Sequence, residues 1–186
     1  MKIVALVGSP RKGGNTDVLL QKALEGAKTQ GAETEIIYLN DLTIRGCQAC
    51  YACKKTGKCV VKDDMVTVYQ AINEADAVIF GSPVYFGRFT AQVALVMDRL
   101  FAYLKPDFTN SLGENKKFAL VVTQNQPDAT LYAGLINSTA QVLGRIGFTS
   151  GPKALVGTGL NVVGLALEKE DYLQGAFAIG TELASH

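Results

Sequence analysis

The sequence has a single histidine, and it is the last residue, His186. Serine–histidine and cysteine–histidine catalytic sites need a histidine fixed beside the nucleophile, and a frayed terminus does not provide one. An HExxH zinc site is excluded because it needs two histidines. If the chain is an enzyme, we therefore expect a bound cofactor to supply the chemistry.

Charge of one sign and long hydrophobic runs are also lacking. The 18 Lys and Arg residues balance 17 Asp and Glu residues for a net charge of +1, so we expect neither a nucleic-acid nor a membrane partner. No apolar run approaches the roughly 20 residues that span a bilayer. The N-terminal apolar run ends in a glycine-rich loop without a small-residue cleavage site, which predicts a buried strand and not a signal peptide. A cytoplasmic protein is therefore expected.

Length and patterning predict the fold class. With 186 residues, 48% of them hydrophobic, the chain is expected to form one globular domain over 1–186. The predicted strands are 2–8, 35–39, 77–81, 118–123 and a fifth within 149–156, and the predicted helices are 16–29, 65–74, 89–104, 130–146 and 168–183. This alternation predicts an α/β three-layer sandwich with a five-stranded parallel sheet in the order 2-1-3-4-5. Ligands of such a sheet bind beyond the carboxyl ends of strands one and three, where the strand order reverses.

The loop after the first predicted strand, SPRKGGN, suits a phosphate. Gly13 and Gly14 allow close approach of the backbone, and Asn15 and Thr16 are also candidate N-caps for the helix that follows. The candidate phosphate-binding side chains are Ser9, Arg11, Asn15 and Thr16. Neither the P-loop motif GxxxxGK[ST] nor the dinucleotide-binding motif GxGxxG is present, so the loop is expected to bind a monophosphate. The alternative is an ordinary turn, because the same residue types are common in turns.

The loop after the third predicted strand, SPVYFGR, suits a flat ring. Pro83 stiffens it, Val84, Tyr85 and Phe86 offer apolar and aromatic surface, and Gly87 leaves room for a planar guest. The alternative is that the aromatic residues belong to the core or to an interface. A phosphate site and a ring site at the same edge of the sheet together favour FMN.

All four cysteines lie within one stretch, in the pattern C-x2-C-x2-C-x5-C formed by Cys47, Cys50, Cys53 and Cys59. They occupy a predicted insertion at about 40–64, longer than most loops without a function. In a reducing compartment such clustered cysteines are more often ligands than disulfides. A [4Fe–4S] cluster, a zinc ion and a loop that binds nothing remain open as alternatives. Lysines 54, 55 and 58, between the third and fourth cysteines, are expected to form a solvated face.

Four motifs together carry a resemblance to a known family. They are GSPRKGGNT, GSPVYFG, GCQACYACKKTGKCVVKDDM and the Met97-Asp98-Arg99 ending of the third helix. Over residues 1–100 the chain resembles the NAD(P)H-dependent FMN reductase-like proteins of the flavodoxin-fold superfamily, and more narrowly the iron–sulfur flavoproteins. Loop 123–128, TQNQPD, departs from the pattern because the family often has glycines there.

The resemblance implies a flavodoxin-like fold and a set of site residues. It implies phosphate contacts from Ser9, Arg11, Asn15 and Thr16, ring contacts from Pro83, Val84, Tyr85, Phe86 and Gly87, and [4Fe–4S] ligation by Cys47, Cys50, Cys53 and Cys59. It also implies homodimers or homotetramers and electron transfer as the activity.

These expectations lead to three hypotheses of function. The first is an FMN-dependent oxidoreductase that passes electrons between NAD(P)H or a reduced carrier such as ferredoxin and an acceptor, with no side chain assigned as catalytic. The second is an NAD(P)H-dependent FMN or quinone reductase without a cluster. The third is a non-enzymatic protein, either a flavodoxin-like electron carrier or a zinc-stapled interaction module.

Overall fold

A seven-stranded sheet forms the middle layer of the protein. The structure is a computed structural model that describes residues 1–113 and 115–185, so His186 lies outside the described residues. The strands are β1 (Lys2–Val7), β2 (Glu33–Tyr38), β3 (Ala77–Tyr85), β4 (Arg88–Phe89), β5 (Lys117–Thr123), β6 (Thr149–Ser150) and β7 (Leu155–Gly157). Their order is β2-β1-β3-β5, with β6 and β7 both paired to β5. All pairs are parallel except β3–β4, which confirms the predicted α/β class with a parallel sheet.

The sheet differs from the prediction at one edge and at one strand end. The predicted fifth strand is split into β6 and β7, and the break falls at Gly151 and Pro152. Pro152 has no N–H to give to the ladder, so the pairing stops there and resumes at Leu155. The short strand β4, which was not predicted, is the return arm of a hairpin with the end of β3.

Helices cover both faces of the sheet. They are α1 (Asn15–Thr29), α2 (Ala52–Thr56), α3 (Met65–Glu74), α4 (Ala91–Arg99), α5 (Ala133–Arg145) and α6 (Glu170–Ala184), with 3-10 turns at Leu39–Asp41, Leu100–Tyr103 and Leu165–Glu168. Alternate residues of β1 point to opposite faces: Ile3, Ala5 and Val7 pack with α1 and α6, and Val4 and Leu6 pack with α3 and α4. Burial on both faces is the reason why β1 reads as a continuous apolar run.

Two glycines let α1 and α6 pack unusually close together. A Cβ atom on Gly180 would lie 1.7 Å from the carbonyl oxygen of Ala23, and one on Gly26 would lie 2.1 Å from that of Phe177. A side chain at either position would therefore force the two helices apart. None of the helices in the described ranges combines the length and the apolar character that crossing a membrane requires.

Several helix ends differ from the prediction. The N-cap of α1 is Gly14, not Asn15 or Thr16, because both of those side chains bond to other parts of the chain. The predicted helix 89–104 is α4 followed by a 3-10 turn, and Thr90 caps it by accepting a hydrogen bond from the N–H of Val93 at 3.4 Å. Helix α2, inside the predicted insertion, was not predicted.

Candidate functional site

A cleft of about 270 Å³ opens beyond the carboxyl ends of β1, β3 and β5. The two predicted loops meet there, since the cleft is lined by Ser9, Arg11, Asn15, Thr16, Pro83, Val84 and Tyr85. Phe86 and Gly87 are not among the lining residues. The cleft is also lined by residues that were not among the predicted site residues. They are Thr123, Gln124 and Asn125, from the 123–128 loop to which no role was assigned, and Leu160, Asn161 and Val163.

The first loop is held by its own hydrogen bonds. The hydroxyl of Ser9 accepts from the N–H of Arg11 at 3.2 Å. The N–H of Gly13, where φ is +69°, donates to the carboxylate of Asp17 at 2.7 Å. Asp17 is 1% exposed, and its carboxylate also accepts from the hydroxyl of Tyr38. These internal bonds hold the shape of the loop, and the exposed side chain of Arg11 lies at its rim.

Asn15 and Thr16 bond to distant parts of the chain. The side-chain nitrogen of Asn15 donates to the carbonyl oxygens of Leu160 at 3.2 Å and Val162 at 2.8 Å. Its side-chain oxygen accepts from the N–H of Ala166 at 3.0 Å. Asn15 thus lines the cleft while its amide fixes the 160–166 loop, which forms one cleft wall. Sequence reasoning could not find this role because the partners lie about 150 positions away.

The second loop is a tight hairpin. Phe86 and Gly87 have φ values of +52° and +80°, as a two-residue turn of the I′ type requires. Phe86 is completely exposed at the tip of this turn, while Tyr85 is 43% exposed and lines the cleft. At the base of the loop, the hydroxyl of Thr90 donates to the carbonyl oxygen of Gly8 at 2.8 Å. This bond joins the two loops.

Gln124 leaves one buried acceptor without a partner. Its side-chain nitrogen donates to the carbonyl oxygens of Gln126 at 3.2 Å and Asp128 at 2.7 Å, which fixes the orientation of the amide. The side chain is 3% exposed, and among the described residues its oxygen Oε1 has no hydrogen-bond partner. An unpaired buried acceptor costs about 1–3 kcal/mol, which a donor on a ligand would recover. FMN carries N–H and O–H donors on its ring and ribityl chain, so the residues of this cleft fit FMN.

The four cysteines do not form a metal site in this conformation. Cys47 and Cys50 are exposed, Cys53 and Cys59 are half-buried, and all four are free thiols. Within 1–113 and 115–185, no group of three or more Cys, His, Asp or Glu side chains is close enough to hold a metal ion. Four thiols have the right chemistry for an iron–sulfur cluster or zinc, but their positions here do not fit one.

The stretch that carries the cysteines nevertheless packs against the domain. The ammonium group of Lys54 donates to the carbonyl oxygen of Phe101 at 2.6 Å, also contacts that of Leu104, and lies 3.6 Å from the centre of the Phe101 ring. The expectation of a solvated lysine face is therefore wrong for Lys54, while Lys55 and Lys58 are exposed as expected.

A buried ion pair lies beneath the same stretch. The Arg99 guanidinium donates through Nη1 to Asp63 at 2.7 Å and through Nη2 to its second oxygen at 3.2 Å. Burial alone would raise the pKa of Asp63, but hydrogen bonds from Arg99 and from the N–H groups of Arg45 and Met65 outweigh it and lower the pKa. Among the described residues, the Nε atom of Arg99 is buried and has no hydrogen-bond partner.

Comparison with known proteins agrees with this architecture. A family model described as NADPH-dependent FMN reductase matches residues 1–153. An iron–sulfur flavoprotein of Methanocaldococcus jannaschii is 44% identical over 99 residues, which are 53% of this chain and 51% of the relative. An iron–sulfur flavoprotein of Methanosarcina thermophila is 38% identical over 108 residues, 58% of this chain and 56% of the relative. The chain thus spans about half the length of the curated relatives it matches.

A solved structure extends the likeness of fold to the whole chain. The NAD(P)H:quinone oxidoreductase of Methanothermobacter marburgensis superposes with a TM-score of 0.78 and covers 98% of both chains. The two sequences are 18% identical, so this likeness concerns the fold alone.

Proposed function

Because the chain belongs to the NADPH-dependent FMN reductase family, we propose that it is a flavin-dependent oxidoreductase that binds FMN in the cleft between the two loops. The observation that carries the proposal is the unpaired Oε1 atom of Gln124, a buried acceptor on the wall of a cleft shaped by a phosphate-type loop and a ring-type loop. FMN supplies reversible hydride and electron chemistry when it is bound. The chain's own residues bind, orient and shield it.

The proposed division of roles follows from position. Arg11, exposed at the rim, supplies positive charge to the phosphate, together with the free N–H groups at the start of α1. Pro83, Val84 and Tyr85 provide the surface against the ring, and Asn15 and Thr16 hold the walls. We propose NAD(P)H or a reduced carrier such as ferredoxin as the electron donor.

We further propose that the four cysteines bind a [4Fe–4S] cluster after a rearrangement of the segment that carries them. The compact cysteine motif and the names of the relatives, iron–sulfur flavoproteins, support this proposal. The separated positions of the thiols support a second candidate, an NAD(P)H-dependent FMN or quinone reductase that works without a cluster.

The exposed apolar residues around the cleft support a homodimer or homotetramer. Phe86 at the hairpin tip, and Val162 and Val163 on the adjacent wall, are more than half exposed. Large side chains of this kind near a cleft are typical of surfaces that a second subunit covers. Light scattering of the purified protein measures the assembly directly.

One preparation tests the proposed function. Protein purified without oxygen is assayed for FMN, iron, sulfide, zinc and NADPH oxidation. The first candidate is expected to give about one FMN and about four iron and four sulfide per chain, whereas the second gives FMN and NADPH oxidation without iron. A protein that binds neither FMN nor riboflavin would contradict both.

A further inference from the structure

Arg99 joins the two ends of the cysteine segment, which we define as residues 46–60. Its Nη1 atom donates to the carbonyl oxygen of Arg45 at 2.8 Å, just before the segment, and its Nη2 atom donates to that of Val61 at 3.5 Å, just after it. Asp63, the ion-pair partner of Arg99, accepts from the N–H of Arg45 at 2.9 Å. One guanidinium and one carboxylate therefore close the base of the segment.

This closure uses protein groups alone. The side chains of Arg99 and Asp63 are only 1% and 4% exposed. Separating a buried ion pair is strongly unfavourable because it leaves an uncompensated charge inside the protein. The base of the segment is therefore expected to stay closed.

The half of the segment that contains Cys53 is docked on the domain. Cys53 belongs to the five-residue helix α2, which is too short to be stable alone. Lys54, the next residue, binds the carbonyl oxygens at the end of the 3-10 turn Leu100–Tyr103. The ring of Tyr51 packs edge-on against Phe101, with centroids 5.9 Å apart.

Cys59 lies beside the same part of the domain. It lines a cavity of about 350 Å³ together with Tyr69 and Tyr103. Cys59 therefore lies against the wall that α3 and the 3-10 turn Leu100–Tyr103 form.

Cys47 and Cys50 are in a different situation. Both are exposed, and among the described residues no hydrogen bond joins positions 47–50 to the rest of the domain. Ala49 and Tyr51, on either side of Cys50, have φ values of +49° and +56°. Such left-handed conformations are uncommon for residues other than glycine, aspartate and asparagine, and they often mark segments that change shape.

We infer that the segment is half-fixed: Arg99 and Lys54 hold Cys53 and Cys59 against the domain, while Cys47 and Cys50 have no such anchor among the described residues. If the four thiols hold a metal, Cys47 and Cys50 are the two that would have to move. That the four thiols are metal ligands rests on the proposed function. The difference in anchoring between the two pairs of cysteines does not rest on it and is tested separately.

The first test is the rate of alkylation of each thiol in the full chain after iron has been removed with a chelator. Iodoacetamide labelling followed by mass spectrometry gives a rate for each cysteine. Cys47 and Cys50 are expected to react at least about tenfold faster than Cys53 and Cys59. Equal rates at all four positions would overturn the inference, whether all are fast or all are slow.

The second test is the variant Arg99→Lys, which keeps a positive charge but does not bridge both ends of the segment. Labelling of Cys53 and Cys59 is expected to accelerate towards the rate of Cys47 and Cys50. The control Arg145→Lys should leave all four rates unchanged because that arginine is exposed at the end of α5. The far-UV circular dichroism spectrum reports whether the variant is folded. If Arg99→Lys does not fold, Lys54→Met removes the two carbonyl bonds at the surface and is expected to accelerate Cys53 alone.

These results separate the inference from the proposed function. Ordered labelling in a protein that never takes up iron would sustain the half-fixed segment and contradict the cluster. Uptake of about four iron atoms by a protein whose thiols all react at one rate would support the cluster and contradict the half-fixed segment.

Discussion

The hydroxyl groups of Thr16 and Thr123 lie 2.7 Å apart and are both buried. This bond ties the first turn of α1 to the end of β5, so it fixes the phosphate-type loop against the strand that leads into Gln124. Neither hydroxyl has another hydrogen bond among the described residues.

Replacing Thr123 by Val tests the strength of this link. The shape is nearly unchanged, but the Thr16 hydroxyl is left buried without a partner, so the free energy of unfolding is expected to fall by about 1–3 kcal/mol. Urea unfolding of the FMN-free protein measures the loss. The exposed control Ser138→Ala should change the free energy of unfolding by less than about 0.5 kcal/mol.

Replacing Gln124 by Met tests the unpaired acceptor. Methionine has a similar length but offers no hydrogen-bond acceptor of comparable strength, so the dissociation constant for FMN is expected to rise roughly tenfold. Fluorescence titration of FMN measures it. Gln126→Met is the matched control, since that neighbouring side chain is exposed and only its carbonyl oxygen is used. Equal affinities of the two variants would show that Oε1 of Gln124 does not contact the ligand.

Replacing Asn15 by Ala separates two roles of that residue. If Asn15 acts by holding the 160–166 wall, the affinities for FMN and riboflavin should fall by the same factor, because the wall contacts parts common to both. If it binds the phosphate, only the affinity for FMN should fall. The three bonds to Leu160, Val162 and Ala166 lead us to expect equal losses, accompanied by faster hydrogen exchange at the Ala166 amide.

The ion pair of Asp63 with Arg99 predicts a loss of stability in acid. The pKa of Asp63 is lowered in the folded protein, so its contribution is complete above the unfolded value of about 3.9 and is lost as the pH falls through the lower, folded value. Urea unfolding between about pH 2.5 and pH 6 should show this slope, and it should flatten in Asp63→Asn. Asp171→Asn, a control at an exposed carboxylate without a side-chain hydrogen bond among the described residues, should keep the slope.

The sequence predicted the architecture because the sheet follows a local rule. A strand that is buried on both faces is apolar along nearly its whole length. Residues 2–8 and 118–123 show this pattern, which can be recognised without knowing what packs against them. The two loops of the cleft were predicted for a related reason, since the strand order decides which strand ends meet.

The polar contacts of the site could not be predicted in the same way. Asn15 and Thr16 suit an N-cap or a phosphate equally well, and only the folded chain brings Leu160 and Thr123 within reach of their side chains. The same holds for Gln124, whose importance comes from the one atom that its neighbours leave unpaired. The spacing of the cysteines indicates a metal, but it does not reveal that two of them are docked and two are not.

The break at Gly151 and Pro152 has a consequence for how copies of this chain can associate. A long open strand at the border of a sheet invites another chain to add its own strand there, which leads to uncontrolled aggregation. Here that border consists of pieces of two and three residues, interrupted by a residue without an N–H group. Growth of the sheet from one molecule into the next is therefore blocked on this side, and an assembly that forms here has to use loops and helices instead.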